Sequence, residues 1–197
     1  MDLIEEVTTF EREWNFQLPE DFKNHISKYG LDPNLLPIRW WFDGFPYDAP
    51  WNKVPGWRQE EPISKDFLSE PCPITPEADL TQPKHEDYAH IDRAPRPGEN
   101  PSQTDIRVLQ EADPISRGWI HKLPPHKIDP YQGTICIAYH GCTYYDLLIV
   151  TGPARGRILN MDADYGPPFW DKSASFEAYL ESLRNMRKPV LPYAARK

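Results

Sequence analysis

The sequence predicts an α+β fold: two N-terminal helices, a mainly antiparallel sheet with a C-terminal meander, and a closing C-terminal helix. Three patterns carry that expectation. Apolar residues recur at helical spacing before residue 30 and again after Ser173. Between 134 and 161, runs rich in Ile, Leu and Tyr are separated by short glycine-containing connections, which suit antiparallel hairpins and are too short for parallel crossovers. A length of 197 residues fits one domain spanning 1–197.

Leu3, Val7, Phe10 and Trp14 mark the first helix, with Glu5, Glu6, Glu11, Arg12 and Glu13 between them. Leu18-Pro19-Glu20-Asp21 opens the second: proline is tolerated in a first turn, and two carboxylates suit the positive end of a helix. Phe22, Ile26 and Tyr29 form its apolar stripe and Gly30 ends it. The pattern then breaks. Residues 31–130 carry 17 of the 23 prolines, too many for uninterrupted helices or central strands. Within this stretch, 40–57 concentrates Trp40, Trp41, Trp51 and Trp57, and so much aromatic area is expected to pack. Residues 61–104 hold nine acids, four bases and eight prolines with few large apolar side chains, and read as an irregular surface excursion. A Pro-rich insertion at about 31–104 is therefore expected.

Strands are predicted at Ile106–Leu109, Thr134–His140, Tyr144–Val150 and Arg157–Met161, with Gly141-Cys142-Thr143 and residues 151–156 as the turns of the meander. Residues 162–170 read as a loop. Ser173 is the expected cap of the last helix, whose apolar face is Phe176, Tyr179, Leu180, Leu183 and Met186 and which Pro189 stops.

Charge narrows the partner classes. With 22 basic and 30 acidic side chains the chain carries −8, which disfavours nucleic acid and anionic membrane surfaces, because both are held by Lys and Arg. An acidic surface instead suits a basic protein partner. The opening residues lack the positive charge and apolar core of a secretory signal, and three cysteines lack disulfide-framework spacing, so a cytoplasmic location with reduced thiols is expected.

Three clusters contain residue types that carry chemistry. Cys136, His140 and Cys142 include zinc ligands, but Cys136 and His140 lie about 13 Å apart along one strand at ~3.3 Å per residue, too far for one ion. Cys142, His140 and Asp146 include a nucleophile, a base and an orienting carboxylate, without a recognisable oxyanion hole. Asp162 and Asp164 lack the remaining oxygens of a calcium loop. No metal, no cofactor and no catalytic residue is expected from these patterns.

Two stretches resemble a known family. Phe16-Gln17-Leu18-Pro19-Glu20-Asp21-Phe22 through Tyr29-Gly30 is similar to the "LP-x-D-[YF]…G" opening of the Smi1/Knr4 (SUKH) superfamily. His140-Gly141-Cys142, Leu147 through Gly152, Arg155-Gly156-Arg157, Pro167 through Trp170 and Ser175-Phe176 resemble that family's "GCG…LVVTG…RGxVW…P…SF" tail. The resemblance covers roughly residues 1–30 and 105–187 and places helices, meander and closing helix in the same order. It implies a non-enzymatic binding protein of the bacterial immunity type, which neutralises a polymorphic toxin, often a nuclease or deaminase, by direct binding. The alternatives are a regulatory adaptor of the Smi1/Knr4 type and a small hydrolase with a site in the aromatic segment. Since many such toxins carry basic surfaces, Glu61, Asp66, Glu70, Glu86 and Asp87 in the acidic stretch are the expected partner contacts.

Overall fold

The computed structural model describes residues 2–38, 65–81, 84–117, 131–141, 144–162 and 168–185. The aromatic segment 40–57, Glu61, Cys142, Asp164, Met186 and Pro189 lie outside them. The architecture is α+β. Helix α1 (Leu3–Glu13) and helix α2 (Glu20–Tyr29) come first. Helix α3 (Pro101–Arg117) precedes strands β1 (Thr134–Gly141), β2 (Tyr144–Ile149), β3 (Ile158–Asp162) and β4 (Phe169–Trp170), and helix α4 (Phe176–Asn185) closes the chain. The strands form one antiparallel sheet in the order β1-β2-β3-β4.

The N-terminal hairpin forms as its sequence dictates. The Asp2 carboxylate caps α1 by accepting the Glu5 amide at 2.8 Å. Glu11 accepts the Leu18 amide at 2.7 Å and pairs with Lys23 at 3.3 Å, fixing the turn into α2. Val7, Phe10, Phe22 and Ile26 then face a core shared with the sheet and with Phe176, Tyr179, Leu180 and Leu183 of α4. Phe22 and Phe176 meet with ring centroids 4.5 Å apart, which locks α2 against α4. Asp32, 5% exposed, takes the Arg184 Nε at 2.8 Å and ties the chain after α2 to the end of α4. Burial pushes the Asp32 carboxyl up, but the Asn34 amide and the Arg184 guanidinium outweigh it and hold it below its ordinary value.

The acidic stretch departs from a surface excursion. Residues 66–80 contain irregular backbone and one 3-10 turn, Lys65–Phe67, yet Leu68, Cys72, Ile74 and Leu80 belong to the continuous core. The segment clasps the end of the sheet: Gly133 N donates to Phe67 O at 2.7 Å, Cys72 N to Thr151 O at 2.9 Å, and Thr151 Oγ1 to Leu68 O at 2.6 Å. Gly133 is required here. Its φ is +68°, and a Cβ there would sit 2.6 Å from Glu70 O and 2.8 Å from Cys72 N. Gly152, inside the Leu147–Gly152 run, meets the same obstacle, with Cys72 N at 2.8 Å from an added Cβ.

The strand expected at Ile106–Leu109 is instead part of α3. Two β-branched residues, Ile106 and Val108, are outvoted by a capping box ahead of them: Gln103 N donates to Asn100 Oδ1 at 3.0 Å, and Asn100 N donates to Gln103 Oε1 at 2.9 Å. Pro101 occupies the first helical position, where its missing N–H costs nothing. Two smaller differences follow from local hydrogen bonding. Ser175, not Ser173, caps α4, accepting the Ala178 amide at 3.1 Å, while Ser173 N is taken by Asp171. The expected loop at 162–170 contains β4, because Phe169 and Trp170 pair with Asn160 and Leu159.

Candidate functional site

Strand β1 is not regular. Cys136 pairs with Leu147 but Ala138 with Asp146, and Tyr139 pairs with Tyr145 but Gly141 with Tyr144, so Ile137 and His140 are bulged residues. The Ile137 carbonyl freed by the first bulge accepts the Leu36 amide at 2.8 Å. The even spacing assumed between Cys136 and His140 therefore does not hold, and His140 is turned onto Asp146 instead.

Asp146 is the centre of the arrangement and is 2% exposed. His140 Nε2 lies 2.6 Å from its Oδ2, Tyr179 OH donates to the same oxygen at 2.8 Å, and Asn160 Nδ2 donates to Oδ1 at 2.7 Å. Asn160 stands opposite Asp146 in the β2–β3 register, and Tyr179 reaches down from α4. Three side-chain donors thus compensate the burial of one carboxylate. The hydrogen bond to Asp146 raises the His140 pKa above its ordinary value against the opposing effect of burial. Burial, then the Asp146 charge, pushes the Tyr179 phenol well up, and the same two causes push up the Cys136 thiol. Tyr179 is therefore a fixed donor and Cys136 a neutral thiol, not a thiolate nucleophile.

His140 and Asp146 were legible as neighbours because they lie six residues apart on the two arms of one hairpin. Asn160 and Tyr179 were missed. The signal for Asn160 is a polar residue inside the apolar third strand. For Tyr179 it is a phenol on a buried helical face, which needs a hydrogen-bond partner. Cys142 lies outside the described residues. Among those residues, no group of three His, Cys, Asp or Glu side chains stands close enough to hold a metal ion.

The expected partner contacts occupy two turns. Asp66 and Glu70 are exposed on the clasp, where the Asp66 carbonyl accepts the Glu70 amide at 2.8 Å. Glu86 and Asp87 are exposed on the 3-10 turn His85–Tyr88, where Asp87 Oδ2 accepts the Lys84 amide at 2.8 Å. That second turn packs with α3 into a satellite organised by Arg107. Arg107 donates through Nε to Glu99 at 2.9 Å, and to the carbonyls of Asp92 and Ala94 at 2.8 Å each. Arg96 adds a 2.8 Å bond to Glu111. Ile91 is buried there, apart from the continuous core.

No protein-family model matches this chain, and comparisons with curated proteins and with solved structures find no match. Among the described residues, no helix is long and apolar enough to cross a membrane.

Proposed function

We propose that this protein is a non-enzymatic binder of the immunity type, which neutralises a toxin domain by stoichiometric association. The observation that carries the reading is architectural. Two helices, an antiparallel meander and a closing helix follow in the order that the SUKH resemblance implies, with Gly152 of the matching run at a close backbone contact. The chemistry of the interior supports it. Asp146 spends both oxygens on Asn160, Tyr179 and His140, and Cys136 is neutral, so the cluster reads as a structural tie, with His140 and Asn160 joining three strands and Tyr179 joining the sheet to α4. Asp66, Glu70, Glu86 and Asp87 stand exposed on two turns, and with Glu61, which lies outside the described residues, they are the proposed contacts for a basic partner.

The test is co-expression with the toxin domain encoded beside this gene. Protection of the host should titrate one-to-one with this chain, and the two proteins should co-elute. Neutralising the five acids should slow association and flatten its dependence on salt. A purified chain that binds no neighbouring gene product, or protects at strongly substoichiometric levels, would remove the immunity reading.

A further inference from the structure

Helix α3 covers a polar hub and leaves two aliphatic side chains exposed. Its inward positions include Thr104, 6% exposed, and Arg107, whose side chain is 11% exposed, with the partly covered Glu111 beside it. Ile106 and Leu109 point outward, at 54% and 69% exposure, on the face that Ser102, Asp105 and Gln110 share by helical spacing. An ordinary surface helix places its aliphatic residues toward the core and its charges in water. Here Val108, Ala112 and Ile115 are partly covered alongside the Arg107 hub, while Ile106 and Leu109 are left in water.

The charge of the satellite that carries this helix is one-sided. Of the described basic side chains on the satellite, Lys84, Arg96 and Arg107 pair with Glu86, Glu111 and Glu99, which leaves Arg93. Asp87, Asp92 and Asp105 have no ion-pair partner among the described residues. A second copy of this chain is a poor occupant. Each chain carries −8, so two copies repel where a basic partner is attracted.

We infer that the outward face of α3 is a docking surface for a cationic protein partner, with Ile106 and Leu109 as its anchors and Asp105 as its rim charge. This rests on the binding reading above and names a surface for it. The anchors enter an apolar depression on the partner, and Asp105 faces Lys or Arg at the edge, where it sets approach more than grip.

The experiment uses the full chain and two variants, Ile106→Ser with Leu109→Ser, and Asp105→Asn. Because the substituted side chains are exposed, both variants should melt as the wild type does. Against the toxin domain encoded beside the gene, the double variant should bind at least about tenfold more weakly, and Asp105→Asn should associate more slowly with a flatter salt dependence. Wild-type affinity in the double variant, within about twofold, would overturn the docking surface and leave the immunity reading intact. If the wild type binds no neighbouring toxin, that reading fails, and a short amphipathic peptide of leucine and lysine decides the surface. Hydrogen-exchange protection confined to 102–110, and lost in the double variant, supports it; no protection there overturns it. A concentration-dependent dimer that the double variant abolishes would replace the cationic partner with a second copy.

Discussion

Residues 66–80 and 84–117 come from the same proline-rich, acidic stretch, and they are held by opposite physics. The clasp is held by apolar burial and backbone contact: Leu68 and Ile74 are fully buried, and the Cys72 backbone is wedged between Gly133 and Gly152. The satellite is held chiefly by the Arg107 guanidinium and its acceptors, with Arg96 on Glu111 and Ile91 as its own buried aliphatic. Burial of that kind couples a segment to global unfolding, whereas ionic contacts set apart from the continuous core leave it free to open locally. Composition is shared by both; what separates them is where the few aliphatic residues fall.

The sharpest contrast is between two glycines with similar backbone angles. Gly133 and Gly98 have φ of +68° and +87°, but an added Cβ meets three backbone atoms within 3 Å at Gly133 and nothing within 4 Å at Gly98. Gly133→Ala should destabilise the whole protein by about 3–5 kcal/mol, from backbone strain plus overpacking. Gly98→Ala should cost about 1–2 kcal/mol, from the positive φ alone, and only within the satellite. Urea melts of the two variants measure this, and equal losses would erase the distinction between clasp and satellite.

The next contrast removes one aliphatic side chain from each region. Leu68→Ala opens a cavity in the continuous core and should lower global stability by about 2–4 kcal/mol. Ile91→Ala should leave the main thermal transition in place and raise hydrogen exchange across 85–111. A drop in global stability for Ile91→Ala as large as for Leu68→Ala would join the two regions into one cooperative unit.

Legibility in the sequence follows the same division. Regular elements with full periodic stripes were readable: α1 from Val7 and Phe10, α2 from Phe22 and Ile26, the meander from its alternating runs. Elements whose structure is decided by contacts distant in sequence were not. Nothing local announces that Leu68 and Cys72 lie under Gly133 and Thr151, more than 60 residues away. The error at 106–109 came from a window too short to see Asn100 and Gln103 capping the turn ahead of it. In the candidate site, His140 and Asp146 were visible as neighbours in sequence. Their contact depends on a bulge, and their other partners on strand register and on α4, neither of which a one-dimensional pattern contains.

Arg107 tests the satellite without touching the core. Arg107→Gln removes the fork that joins Glu99 to the Asp92 and Ala94 carbonyls. Exchange at residues 94–111 should rise by about tenfold or more, with slow exchange retained at 135–149. Arg107→Lys should rescue little, because a single ammonium cannot serve acceptors arranged for a planar fork. Slowed exchange in the satellite of either variant, or loss of protection in the sheet, would contradict the ionic account.

The smallest effect is a pH dependence of opposite sign in the two parts of the molecule. The Arg107 side chain, helped by the Arg96 amide, holds Glu99 down to about 2 against an ordinary value of 4.5. A depressed carboxyl contributes stability that is present above 4.5 and lost as the pH falls through about 2, so α3 should stay protected at pH 4 and release near pH 2. His140 is raised above 6.5 by its hydrogen bond to Asp146. A raised imidazole contributes stability that is complete below 6.5 and lost as the pH rises through its higher folded value. The stability difference between wild type and His140→Gln should therefore be largest in mild acid and shrink toward alkaline pH, measured by urea melts across that range. Strong acid opens the satellite, and alkali weakens the His140 tie while the satellite is intact. A His140→Gln difference that is flat with pH would mean that the Asp146 site does not hold a protonated imidazole, and that Tyr179 and Asn160 alone compensate its charge.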